Sequence, residues 1–186
     1  TVQLVEGLTV DLPISLAQAY PHDGWLIGDP HLHAASSNDA QITMEDRAVV
    51  TAAVGVQLLF GTDHDGVTDY APVLEALGLT GVTRAVVSDE VSPPTRGHVN
   101  AYPVTADRTQ ANNGALAWWS NIPPDSQTWF DWMDERHPGA LYQLNHPMDD
   151  GLAVMAGWST GEIASPDRWT EDFDGGGEVW NGRTMK

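Results

Sequence analysis

The stretch Val56-Gln57-Leu58-Leu59-Phe60-Gly61-Thr62-Asp63-His64-Asp65 sets a nearly continuous apolar run directly against an acidic, histidine-bearing end. A short run without polar alternation suits a strand buried on both faces, the kind found in parallel sheets covered by helices. Upstream, Met44, Ala48, Val49, Ala52 and Ala53 fall near helical spacing, with Thr43 as a candidate N-cap, Asp46 three residues on and Gly55 as the stop. Before that helix, Trp25-Leu26-Ile27-Gly28 forms another short apolar run that delivers Asp29, His31 and His33 at its end. The order is therefore strand, polar end, helix, strand, polar end.

The same order continues downstream. Tyr70 to Leu77 reads as a short helix closed by Gly78, and Arg84 to Ser88 as a strand running into Asp89-Glu90. Val99 to Val104 reads as a strand beginning at His98, Thr128 to Arg136 as a helix, and Ala140 to Leu144 as a strand ending at Asn145-His146-Pro147. Gly177 to Asn181 is a further strand candidate, while Asn112 to Ser126 and Met148 to Gly176 read as long loops over the site. Val2 to Leu12 reads as a strand leading into a Pro/Gly turn. Residues 1–23 then form a lead-in, and 24–186 one domain. Strands alternating with helices predict a parallel α/β sheet or barrel, with the ligand site at the carboxyl ends of the strands.

Composition narrows the chemistry. A chain of 186 residues suffices for one sizeable core. Its formal charge of -18, from 26 acidic and 8 basic residues, opposes nucleic acid and anionic membrane surfaces, and Lys186 is the sole lysine. No apolar stretch is long enough to span a bilayer, so a soluble protein is expected, cytoplasmic or exported. There is no cysteine, so any metal must be held by imidazole and carboxylate. The opening Thr1-Val2-Gln3 lacks methionine and any signal-peptide pattern, which predicts a processed product or a piece of a longer chain.

Five of the seven histidines sit at or near predicted strand boundaries beside Asp or Glu. In an H-x-H pair at a strand end, residues i and i+2 point the same way, so His31 and His33 can grip one cation. Neutral imidazole suits zinc, iron or manganese, and Asp39 and Glu90 add oxygen donors able to bridge two ions. Metals about 3.5 to 4 Å apart can share a hydroxide and clamp the oxygens of a phosphoryl or acyl transition state. Each residue also has an ordinary structural reading. A lone histidine is usually a hydrogen-bonded core or surface residue, and His22 and His137 are read so. Trp118, Trp119, Trp129 and Trp132 are read first as packing residues and second as an aromatic substrate wall.

Gly28-Asp29-Pro30-His31-Leu32-His33 with Asp39, then Gly61-Thr62-Asp63-His64-Asp65, Glu90-Val91-Ser92, Gly97-His98-Val99-Asn100 and Asn145-His146-Pro147 together resemble the PHP superfamily, named for polymerase and histidinol phosphatase. Within it the resemblance is to the carbaryl-hydrolase-like metallohydrolases, over about residues 24–182. It implies a distorted, TIM-like (β/α)7 barrel with two to three divalent metals, usually zinc, manganese or iron. By the same resemblance His31 and His33 bind one metal, Glu90 bridges to a second held by His98 and His146, and Asp39 and His64 serve a third. Asp29, Asp63 and Asn145 match neighbouring motif positions and would orient imidazoles, with Asp63 also a candidate catalytic residue beside Glu90. The family closes its site with a late Asp-x-His that does not follow His146 here. A truncated barrel is therefore expected, with its first metal short of a carboxylate.

The activity these readings imply is hydrolysis of small phosphoesters by a metal-bound hydroxide, with Arg96 available for the substrate phosphate. The alternatives are hydrolysis of carboxylic or carbamic esters, and a catalytically silent metal-binding module.

Overall fold

The computed structural model describes residues 24–94, 97–124, 126–146 and 176–178, with isolated positions 6, 7, 9, 11, 13 and 15 before them. The expected Val2 to Leu12 strand, Arg96 and the end of the chain after Glu178 lie outside the described residues.

Strands Gly28–Leu32 (β1), Leu58–Gly61 (β2) and Arg84–Val87 (β3) form a parallel sheet in the order β1-β2-β3. The crossovers are helix Met44–Ala53 (α1) and helix Ala71–Ala76 (α2), as parallel pairing requires. Thr43 Oγ1 accepts the Asp46 N–H at 3.1 Å, and Glu45 and Asp46 put negative charge at the positive end of the helix dipole. After α1 the chain turns at Gly55, whose φ is 86°. Leu32, Ala34, Ala48, Leu59, Tyr70 and Leu74 form the core of this half. Gly61 is fixed by close approach, because a Cβ there would meet Thr68 Cγ2 at 2.7 Å and the Tyr70 ring at 2.8 Å.

The second sheet contains Asp89–Val91 (β4), Val99–Tyr102 (β5), Leu141–Leu144 (β6) and Gly176–Gly177 (β7), in the order β4-β5-β6-β7. Here the structure departs from the expected parallel arrangement: β5 is antiparallel to both β4 and β6, and only β6 and β7 are parallel. Residues 92–98, between β4 and β5, are too few for the crossover that parallel pairing needs. The reversal matters for the site. It brings the start of β5, preceded by His98, to the same rim as the end of β6, followed by His146. Helix Ser126–Arg136 (α3) contributes Trp129, Phe130 and Met133 to a core shared with Val91, Val99, Ala101, Tyr142 and Leu144.

Isolated bridges between His64 and Glu90 and between Thr68 and Ser88 join the two halves. The architecture is mixed α/β. Among the described residues the strands make two sheets and no closed barrel, and no described helix is long and apolar enough to cross a membrane. Successive residues of a strand face opposite ways, and the fully buried Asp89 pairs with His137, Oδ2 to Nε2 at 3.6 Å. His137 thus belongs to the packing against α3.

Candidate metal centre

The site forms around Glu90, a fully buried carboxylate in the three-residue strand β4. Five imidazoles surround it in a closed circuit. The ring centroids of His31 and His33 are 5.0 Å apart, His33 and His64 4.7 Å, His64 and His98 5.0 Å, His98 and His146 4.9 Å, and His146 and His31 5.9 Å. The two carboxylate oxygens face different parts of the circuit. Oε2 lies 2.8 Å from His33 Nε2, 3.1 Å from His64 Nδ1 and 3.5 Å from His31 Nε2. Oε1 lies 3.1 Å from His98 Nδ1 and 3.7 Å from His146 Nε2.

Three further carboxyl and hydroxyl groups hold the imidazoles from outside. Asp39 Oδ1 contacts His33 Nδ1 at 2.9 Å, and its Oδ2 lies 3.5 Å from His64 Nε2. Ser92 Oγ donates to the Glu90 carbonyl at 3.0 Å and sits 2.7 Å from His64 Nδ1. Its proton being so engaged, Ser92 accepts from Nδ1–H and leaves His64 Nε2 unprotonated. Glu178, which follows β7, contacts His31 Nδ1 at 3.2 Å through Oε1 and accepts the His146 N–H at 2.6 Å through Oε2. That second bond holds a residue whose φ of 31° is strained for a side-chain-bearing amino acid.

Electrostatics follow from this crowding. Burial works against a charged His31, but the carboxylates of Glu178 and Glu90 beside it outweigh it and lift the imidazole to about 10. His33 is likewise opposed by burial and raised by Glu90 and Asp39. Burial lowers His64, with the like charges of His33 and His98 adding to it against the pull of Glu90. Burial would raise Glu90, yet the surrounding imidazoles of His146, His31, His33 and His98 hold it well below the usual carboxylate range.

Ligand atoms of three groups lie within 4.8 Å of one another: His31, His33 and Glu90; His33, Asp39 and His64; and His64, Glu90 and His98. Donors about 2.1 Å from one ion lie at most about 4.2 Å apart, so small side-chain shifts bring each group onto one cation. The donor set fits a divalent metal on a further ground. His33 Nε2 and Glu90 Oε2, which face each other at 2.8 Å, are buried without a hydrogen-bond partner in protein, a costly state that a cation beside them would relieve.

The structure therefore brings together His31, His33, Asp39, His64, Glu90, His98 and His146. The grouping differs from the expectation in two respects, since His33 joins Asp39 and His64, and His64 joins Glu90 and His98, while His146 Nε2 lies 3.7 Å from Glu90 Oε1. Asp63 has another role than the expected one. Its carboxylate accepts from Ala34 N at 2.7 Å, Ser36 Oγ at 2.6 Å and Thr68 Oγ1 at 2.8 Å, so it ties two loops together and touches no described imidazole. Asp29 Oδ1 accepts the His31 backbone N–H at 3.3 Å, and Asn145 donates to Glu90 Oε1 at 2.7 Å, so neither orients an imidazole ring. Glu178 was missed as a site residue. It sets a carboxylate against the outer nitrogen of His31, outside the donor groups, and follows a strand too short to carry a periodic signal.

No family model matches the chain, and no curated protein matches it. Among solved structures it is similar to a two-domain protein from Bacteroides vulgatus ATCC 8482 containing a predicted PHP-like metal-dependent phosphoesterase. The two are 18% identical with a TM-score of 0.44, over 80% of this chain and 40% of that one. The chain spans less than half the length of that protein.

Proposed function

We propose that this chain is a PHP-type metal-dependent hydrolase that cleaves small phosphate esters. The observation that carries the reading is a single buried carboxylate, Glu90, enclosed by five imidazoles. Glu90 would be shared between cations held on its two sides, its Oε2 lying on the side of His31, His33 and His64 and its Oε1 on the side of His98 and His146. Asp39 with His33 and His64 forms a third group at the exposed edge. When bound, divalent zinc, manganese or iron supplies Lewis acidity, lowering the pKa of water and neutralising charge in the transition state.

The protein's own residues set protonation and aim. Glu178 retains the Nδ1 proton of His31, which turns the Nε2 lone pair towards Glu90, and Ser92 retains the Nδ1 proton of His64, which leaves its Nε2 free on the side of Asp39. Asp63 fixes the loop after β1 to the loop after β2 and so sets the distance between His33 and His64. Arg96, just before Gly97-His98, supplies positive charge for a phosphate in a chain of formal charge -18.

Hydrolysis of carboxylic or carbamic esters is the second reading, favoured by one contact. The Trp118 indole N–H donates to Asp65 Oδ1 at 2.5 Å, beside His64, and Trp119 packs edge-on against Trp118 with its own face half exposed. An apolar ester group would find a wall there. Zinc- or manganese-loaded protein assayed on 4-nitrophenyl phosphate and 4-nitrophenyl acetate separates the two. Faster phosphate release, abolished by metal removal, is expected. Turnover of the acetate alone would favour the second reading, and turnover of neither would leave a metal-binding module without catalysis.

A further inference from the structure

Glu90, Asn100 and Gln143 are paired in register across β4, β5 and β6, so their side chains share one face of the sheet. With Asn145 and Tyr102 they form a continuous hydrogen-bonded chain. Tyr102 OH donates to Gln143 Oε1 at 3.2 Å, and Gln143 Nε2 donates to Asn145 Oδ1 at 3.2 Å. Asn145 Nδ2 uses both its hydrogens, one on Glu90 Oε1 and one on Asn100 Oδ1, each at 2.7 Å. Asn100 Nδ2 ends the chain on the Pro30 carbonyl at 2.8 Å, in β1 next to His31. Asn100 and Asn145 are fully buried, and Gln143 nearly so.

The polarity of this chain is determined at its ends. The Pro30 carbonyl and the Glu90 carboxylate can only accept, so Asn100 and Asn145 must turn their nitrogens towards them. Asn145 Oδ1 then faces Gln143, which must present nitrogen there and oxygen to the tyrosine hydroxyl. Every donor points one way, and such chains reinforce each other in a low-dielectric interior.

We propose that Tyr102, Gln143, Asn145 and Asn100 form a directional relay of positioning residues for the metal centre. The relay pins Glu90 Oε1 and leaves Oε2, which lacks a hydrogen-bond partner, to the His31, His33 and His64 side. It thereby sets the carboxylate plane on which both bridged positions depend, and couples that plane to the β1 backbone beside His31. The inference rests on the metal reading above. Gln143 and Tyr102 touch no proposed ligand, so their effect on metal affinity isolates the relay.

The test is zinc binding by calorimetry on the full chain, with the side-chain amide resonances of Asn145 followed by 15N NMR. Gln143→Met keeps length and removes the donor. It is expected to weaken zinc binding about tenfold, as loss of outer-shell partners does, and to shift the Asn145 amide resonances. Tyr142→Phe, on the same strand but bonded through its hydroxyl to Asp134, is expected to leave zinc affinity unchanged. Unchanged affinity in a cooperatively melting Gln143→Met protein overturns the relay while leaving the metal reading intact. If that variant does not fold, Tyr102→Phe decides: weaker zinc binding supports the relay, and wild-type affinity overturns it. Wild-type protein that binds no zinc overturns the metal reading and the relay with it.

Discussion

His31 shows how one residue can be both stabilising and ready for a metal. Paired with Glu178 and Glu90 it holds a proton up to about pH 10 in the metal-free protein. A raised folded-state value means the contribution to stability is fully present below the ordinary imidazole value of about 6.5 and is lost as pH rises through the folded one. The depressed Glu90 and Asp39 act in the other direction and lose their contribution only in acid. We expect the melting temperature of metal-free protein to fall between about pH 7 and about pH 10, with the fall reduced in His31→Gln. Zinc competes with the proton, so zinc affinity should rise over the same range. Calorimetric melts across that range check the sign, and a metal-free melting temperature that stays flat or rises would contradict it. The histidines themselves were legible in the sequence because each falls beside a short apolar run. Glu178 was not, since two glycines in β7 give no pattern that points at the residue after them.

At the scale of elements, α1, β2, α2, β3 and β6 were readable from apolar runs, the Thr43 cap and the glycine stops, whereas the run Trp25 to Ile27 is exposed and outside any strand, and β1 begins only at Gly28. Strand direction in the second sheet was not. Nothing in the composition of Val99 to Tyr102 distinguishes a strand that runs back along β4 from one that follows a crossover; the brevity of residues 92–98 was the available clue. The partner of Asn145 was equally hidden, because it depends on the register of β4, β5 and β6. Gly61 provides an element-level test. It ends β2 just before Thr62-Asp63-His64, pressed against Thr68 and Tyr70. Gly61→Ala should cost about 1–3 kcal/mol through overpacking, read as a lower urea midpoint with an unchanged slope. A wild-type midpoint would show that the two loops tied by Asp63 yield more readily than their packing implies.

For the whole molecule, the parallel sheet and the largely antiparallel sheet meet along the His64 and Glu90 bridge, and each supplies part of the imidazole circuit. The parallel half brings His31, His33 and His64 at the ends of its strands, and the other half brings Glu90, His98 and His146. The His33, Asp39 and His64 group lies within the parallel half, whereas both groups that contain Glu90 draw on the two halves together. The chain's acidity also gains a local meaning, since Glu90, a fully buried carboxylate, is surrounded by cationic or metal-seeking groups. The central claim is that Glu90 bridges metals at this junction. Metal content after zinc loading and dialysis, measured by plasma mass spectrometry on wild type and Glu90→Gln, tests it most directly. About two or more zinc ions per wild-type chain are expected, as a bridged site requires, with a loss of at least half in the variant. Equal zinc content in the two proteins, or none in the wild type, would contradict it.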